Sequence, residues 1–147
     1  MNAPIVIATV EEAHRKAIEE ANQWRGRMIN LYARAENQIG RALASKANGR
    51  LPMLFSQKIS QLKKLIVGDA KLRGIVEQLE ARLGERNSLV HGVGSVWVAP
   101  NGRWLLELSH HGRKGVERFA VQGDDAEAQR DDLAKIAQRL ESKLKGT

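Results

Sequence analysis

The segment GERNSLVHGVG, residues 84–94, sets an arginine beside an asparagine and places a histidine five positions after the arginine. These group types suit phosphodiester chemistry. His91 can accept or give a proton near neutral pH. Arg86 offers a rigid fork of donors to phosphate oxygens and keeps its charge as negative charge develops. Asn87 can orient the imidazole or the phosphate. RNA carries its own nucleophile in the 2′-hydroxyl, so a ribonuclease needs little beyond such a set and no metal. Geometry limits the idea, because residues five apart on an ideal helix point roughly 140° apart. Either the helix ends between Arg86 and His91, as Gly92 allows, or the groups meet in a cleft shared with a second subunit. The competing reading is capping alone, with Leu89 and Val90 in the core and Gly92 as the C-cap.

The elements that must position this segment are legible from periodicity. Thr9 followed by Glu12 is a capping box, and a helical pattern runs from there to about Ala47. Trp24, Met28, Leu31, Ala35, Ile39 and Ala42/Leu43 form its apolar stripe. Gly26 and Gly40 lie inside it and mark close packing or a break into two helices. Asn48-Gly49 and Pro52 interrupt the pattern. A second helix is expected from Phe55 or Ser56 to Val67, with Ile59, Leu62, Leu65 and Ile66 inward. Gly68-Asp69 stops it and caps a third, which runs from Ala70 to near Val90 on Leu72, Val76, Leu79 and Leu83.

Beyond Gly94 the period changes. Strands are expected at about 95–99, 103–109 and 116–121, joined by an Asn101-Gly102 hairpin and a His111–Gly115 turn. Trp97 and Trp104 are the expected packing residues of this meander. Asp124 or Asp125 then caps a closing helix with Leu133, Ile136, Leu140 and Leu144 inward. The fold class is mainly α, a helical bundle with a small three-stranded antiparallel β-meander inserted before the C-terminal helix. The whole of 1–147 reads as a single domain, with the β-appendage at about 95–121.

Composition sets outer limits. With 42% hydrophobic and 28% charged residues the chain is ordinary for a soluble globular protein. It has no cysteine, which excludes disulfides, a thiol nucleophile and cysteine-ligated metal sites. No stretch reads as a signal peptide or is long enough to span a bilayer, so a cytoplasmic protein is expected. The net charge of +7 comes from Gly40–Gly74, where eight basic residues stand against Asp69 alone. Such a field attracts a polyanion, unless these are merely solvated lysines on helix backs.

RNSLVH resembles the signature of the HEPN superfamily, small helical domains common in prokaryotic toxins and defence proteins. That signature is an arginine, a polar residue, three variable residues and a histidine, matched here by Arg86, Asn87, Ser88-Leu89-Val90 and His91. The resemblance covers roughly residues 10–145, although only the six-residue motif is specific and the meander departs from the minimal all-helical pattern. It implies a bundle that pairs as a homodimer, with two motifs facing one cleft. It also implies a metal-independent endoribonuclease of toxin or defence type that leaves a 2′,3′-cyclic phosphate. Family members often place an acidic or polar residue of the early long helix near the motif, and Glu36 is the candidate; it could equally be a surface salt-bridge residue. The catalytic set expected on this basis is Arg86, Asn87, His91 and Glu36, with no cofactor and no metal.

The alternative is a non-catalytic module that binds nucleic acid or a protein such as a cognate antitoxin or regulatory partner, with no membrane role. Weaker candidates complete the survey. His110 and His111 point to opposite faces of a strand, so only one could join a site directly. Arg113-Lys114 reads as a solvated turn with phosphate-friendly charge. Trp24, Trp97 and Trp104 could stack bases, but their apolar stripes favour packing.

Overall fold

The computed structural model describes residues 9–46, 52 and 54–145. The Asn48-Gly49 interruption and Arg50 lie outside them. Among the described residues five helices and one three-stranded antiparallel sheet alternate as expected for a mainly α bundle with an inserted meander. The helices are α1 (Val10–Lys46), α2 (Phe55–Leu65), α3 (Ala70–Ala81), α4 (Leu83–His91) and α5 (Gly123–Lys145). The strands are β1 (Val93–Val98), β2 (Trp104–Gly112) and β3 (Gly115–Gln122), in spatial order β1-β2-β3. No helix among the described residues is long and apolar enough to cross a membrane.

The first helix is the spine of the molecule. Thr9 Oγ1 accepts the Glu12 amide at 3.1 Å and opens it. It then runs 37 residues, about 55 Å at 1.5 Å per residue. Gly26 and Gly40 neither break it nor mark close packing, since a Cβ at either position would meet nothing within 4 Å. Packing along the rest of the stripe outweighs their low propensity, about 1 kcal/mol each against alanine. Trp24, Met28, Tyr32, Ala35, Ile39 and Leu43 are all buried, so the helix presents one continuous apolar face to α2, α4, α5 and the sheet.

The third expected helix is two. It breaks at Arg82, whose amide turns back to the Leu79 carbonyl at 3.0 Å. Two tertiary contacts and one local one hold the break: the Tyr32 hydroxyl donates to the Arg82 carbonyl at 3.3 Å, and the Arg82 guanidinium reaches Gln129 O at 3.3 Å and, within its own turn, Glu85 at 3.4 Å. Gly84 lowers the cost of bending there. Asp69 caps α3 as expected, accepting the Leu72 amide at 3.1 Å. On α2, Leu65 is exposed rather than inward, while Phe55, Ile59, Leu62 and Ile66 fill the core. On α4, Leu89 is buried but Val90 is exposed, so only one of that pair is core.

The sheet begins two residues earlier than periodicity suggests. The β1–β2 connection turns through Pro100 and Asn101, with Gly102 N–H donating to Ala99 O at 2.9 Å. Gly102 has φ +84°, the left-handed conformation that closes a three-residue hairpin loop. The β2–β3 turn contains only Arg113 and Lys114, between the paired Gly112 and Gly115. Asp124 and Asp125 lie in the first turn of α5 rather than capping it. There their negative charge lies at the positive end of the helix dipole.

Bundle and sheet share one core. The Trp24 indole N–H donates to Ala126 O of α5 at 2.7 Å. Its ring lies parallel to Phe119 of β3 and tilted against Trp104 of β2, both with centroids 6.4 Å away. Trp97 does not pack as expected. In β1 it has the opposite parity to Val96 and Val98, which face the helices, and it is left 60% exposed.

Candidate functional site

Three of the four residues singled out by the motif and the early helix come together. The Arg86 guanidinium lies 3.8 Å from the Glu36 carboxylate of α1 and donates to Asn87 Oδ1 at 3.1 Å. It also sits 5.8 Å from the centroid of the Phe55 ring, within cation–π range. Glu36 faces the motif from the neighbouring helix as an ion-pair partner of Arg86. Its second oxygen accepts from Lys58 Nζ of α2 at 2.7 Å. In the sequence Lys58 is marked only as one of the basic residues of Gly40–Gly74. It stands here because Phe55, Ile59 and Leu62 turn α2's apolar face inward and leave position 58 on the flank facing α1. One carboxylate thus balances two cations, and the cluster keeps an excess positive charge with which to take an anion.

His91 is not part of that cluster. The helix does not end between Arg86 and His91: α4 continues through His91, and the Gly92 amide closes on Ser88 O at 2.8 Å. The two side chains thus leave the axis roughly 140° apart, Arg86 half-buried against α1 and α2 and His91 exposed. His91 has no hydrogen bond or ion pair among the described residues. Within one chain, the first of the two routes to a shared site is closed.

The end of α4 is nevertheless held firmly. Arg25 of α1 donates from Nε to Leu89 O and from Nη2 to Gly92 O, both at 2.8 Å. A charged fork thereby satisfies carbonyls that a helix C-terminus leaves unpaired. Nothing in the sequence marks Arg25 except its place next to Trp24 on the edge of the stripe. Gly92 has no room for a side chain, since a Cβ would run into Ser88 O and stand 2.8 Å from Leu108 Cβ. At Gly94 it would run into the Glu107 backbone carbonyl. The glycines of HGVG are there so that β1 can leave α4 and lie directly on β2.

A second histidine meets the motif from the sheet. His110 of β2 points to the helix side and His111 does not, as strand alternation requires. His110 Nδ1 is 3.4 Å from the Ser88 hydroxyl, and its Nε2 is 3.2 Å from Glu117, its cross-strand partner on β3. Ser88 is buried, so this chain of contacts fastens the meander to α4 and offers no accessible nucleophile.

The carboxylate next to Arg86 is unusual as well. Burial raises the Glu85 carboxyl above the ordinary carboxylate range, opposed by the charge of Arg82. Its Oε1 is buried without a hydrogen-bond partner among the described residues, while the nearby Tyr32 hydroxyl donates to the Arg82 carbonyl. Burial likewise raises the Tyr32 phenol far above its usual value, with the Glu85 charge adding to it.

The basic segment is partly neutralised in the fold. Lys58, Lys63 and Arg73 pair with Glu36, Glu80 and Glu77. Arg41, Lys46, Lys64 and Lys71 remain open to solvent. Comparison with known families, curated proteins and solved structures gives no match to this chain.

Proposed function

We propose that the chain is a HEPN-like, metal-independent endoribonuclease of toxin or defence type, acting in the cytoplasm as a homodimer. The observation that carries this reading is the cluster of Glu36, Lys58, Arg86 and Asn87 beside an exposed His91 on a firmly capped helix end. Arg86 and Lys58 bind the scissile phosphate, and Glu36 with Asn87 holds the guanidinium in place. The 2′-oxygen bonds to phosphorus while the bond to the 5′-oxygen breaks, leaving a 2′,3′-cyclic phosphate. His91 takes the 2′ proton or gives one to the leaving oxygen. Because α4 keeps Arg86 and His91 on different sides, pairing of two α4 ends across a dimer is the arrangement that brings both groups to one phosphate.

The test is cleavage of single-stranded RNA in the presence of EDTA by wild type, Arg86→Ala and His91→Ala. Loss of about 10²-fold or more in each variant is expected for removal of a general acid–base or phosphate-binding group. Cleavage that survives His91→Ala unchanged would sink the assignment, and each variant must keep its oligomeric state for the comparison to count.

One observation favours a second reading. Arg86 already has partners on three sides in a single chain, as a purely structural residue would. On that reading the protein is a non-catalytic module for nucleic acid or for a partner such as a cognate antitoxin. Arg86→Ala would then lower stability, with no cleavage to lose.

A further inference from the structure

The outward face of the sheet carries a set of side chains that the fold does not use. β1 follows the motif directly, and its outward residues are Val93, Ser95 and Trp97, opposite Ser109, Glu107 and Leu105 of β2. The register continues to Arg118, Ala120 and Gln122 of β3. Val93 is 77% exposed and Trp97 60%, although a tryptophan with a free choice of faces would be buried. Between Trp97 and Arg118 lies an open cleft of about 450 Å³, floored by the small residues Ser95, Ser109 and Ala120.

The register sets three different chemistries on one diagonal. Trp97 on β1, Glu107 on β2 and Arg118 on β3 are each displaced from the next by one strand and two residues. With strands about 4.8 Å apart and about 3.4 Å per residue, each step is about 8 Å. An indole face stacks on any nucleobase, a carboxylate accepts from the amino group on a base edge, and a guanidinium forks onto a phosphate. Neither Glu107 nor Arg118 has an ion-pair partner among the described residues. The β2–β3 turn adds Arg113 and Lys114, also without ion-pair partners there, so this end of the sheet carries three cations against Glu107 on the outward face and Glu117, which is held by His110.

We infer that the outward face of the meander binds single-stranded RNA, with Trp97 as the stacking platform and Arg118 as a phosphate contact. The excess positive charge complements a polyanion, and exposed aromatic surface on a sheet is sequence-tolerant because every base has a π-face. β1 starts two residues after His91, so a strand lying on this face passes the end of α4. The choice of RNA over DNA rests on the proposed function; the binding surface itself does not.

The experiment uses the full chain and a fluorescein-labelled 12-nucleotide RNA with 2′-O-methyl groups throughout. This probe lacks the attacking hydroxyl, so binding is read apart from cleavage. Trp97→Ala and Arg118→Ala should each weaken the single-stranded probe about tenfold or more, with Trp97→Phe retaining most of the affinity. Tryptophan emission should be quenched by the probe in wild type and not in Trp97→Ala, because Trp24 and Trp104 are buried. Unchanged affinity in Trp97→Ala overturns the inference, as does equal affinity for the duplex form of the probe. Sedimentation showing that Trp97→Ala converts a dimer to a monomer also overturns it, since a second copy would then be the occupant. Cleavage undiminished in His91→Ala, with probe binding still dependent on Trp97, rejects the catalytic reading alone. Cleavage lost in His91→Ala, with binding indifferent to Trp97, rejects this inference alone.

Discussion

Glu85 and Arg86 are neighbours in sequence with opposite electrostatic situations. Arg86 is surrounded by an acid, an amide oxygen and an aromatic face, each of which attracts a cation. Glu85 is buried, and burial outweighs the attraction of Arg82, so its carboxyl is raised. A carboxyl raised in the fold adds stability while it is protonated, and that contribution is lost as pH rises through its folded value. The ionised form therefore burdens the fold at neutral pH. Glu85→Gln should melt at a higher temperature than wild type at pH 7, and the difference should shrink as pH falls through the raised folded value of Glu85, reaching its minimum by the ordinary carboxylate range. Thermal melts at a series of pH values check this; a lower melting temperature at pH 7 would mean that the Arg82 pair dominates. None of it is visible in the string GERN, because burial of position 85 comes with the packing of α4 on α1, where Tyr32 stands beside it, and not from its neighbours in sequence.

Helix α4 shows how an element can be anticipated and its ends still misjudged. Its apolar residues continue the period of α3, so the two read as one helix. The break at Arg82 is made by Tyr32, Glu85 and Gln129, and two of these come from distant parts of the chain. At the other end, the glycines after His91 signal a stop, but the cap is supplied by Arg25, 64 and 67 residues away from its two acceptors. Hydrogen bonds from a charged donor contribute about 1.5–3 kcal/mol each, net of the bonds to water they replace, and at a partly exposed helix end water takes over part of that role. Arg25→Ala should cost about 2 kcal/mol in urea denaturation, and Arg25→Lys should recover little, because an ammonium cannot span two carbonyls as a planar fork does. If the proposed function holds, both variants also lower cleavage by letting the His91 end of α4 fray.

At the scale of the whole molecule, the meander is no independent appendage. Trp24 joins α1 to α5 through Ala126 and to the sheet through Phe119 and Trp104, and Gly123 exists to let the Trp104 ring in, which a Cβ would approach to 2.8 Å. Truncating a buried aromatic costs about 3–5 kcal/mol. Trp24→Ala should lose stability on that order and lower the thermal midpoints of helix and sheet together. Coincident transitions by far-ultraviolet dichroism and by tryptophan emission would show one cooperative unit. Separate transitions would show that the sheet folds apart from the bundle.

Local pattern was enough to determine the element types, their order and most of the inward stripes, because helical and strand periods are written in the side chains themselves; it missed the break at Arg82 and placed Leu65 and Val90 inward. It also brought Arg86, Asn87 and His91 to notice as groups with a shared chemistry, and the family likeness brought Glu36. Only the tertiary structure decided which of them meet. Glu36 reaches Arg86 because α1 and α4 pack together, and Lys58 enters through α2. His91 stays apart because α4 runs straight to its end. Trp97 turned out of the core for a similar reason: its hydrophobicity argues for burial, but strand parity fixed by pairing with β2 left it on the open face.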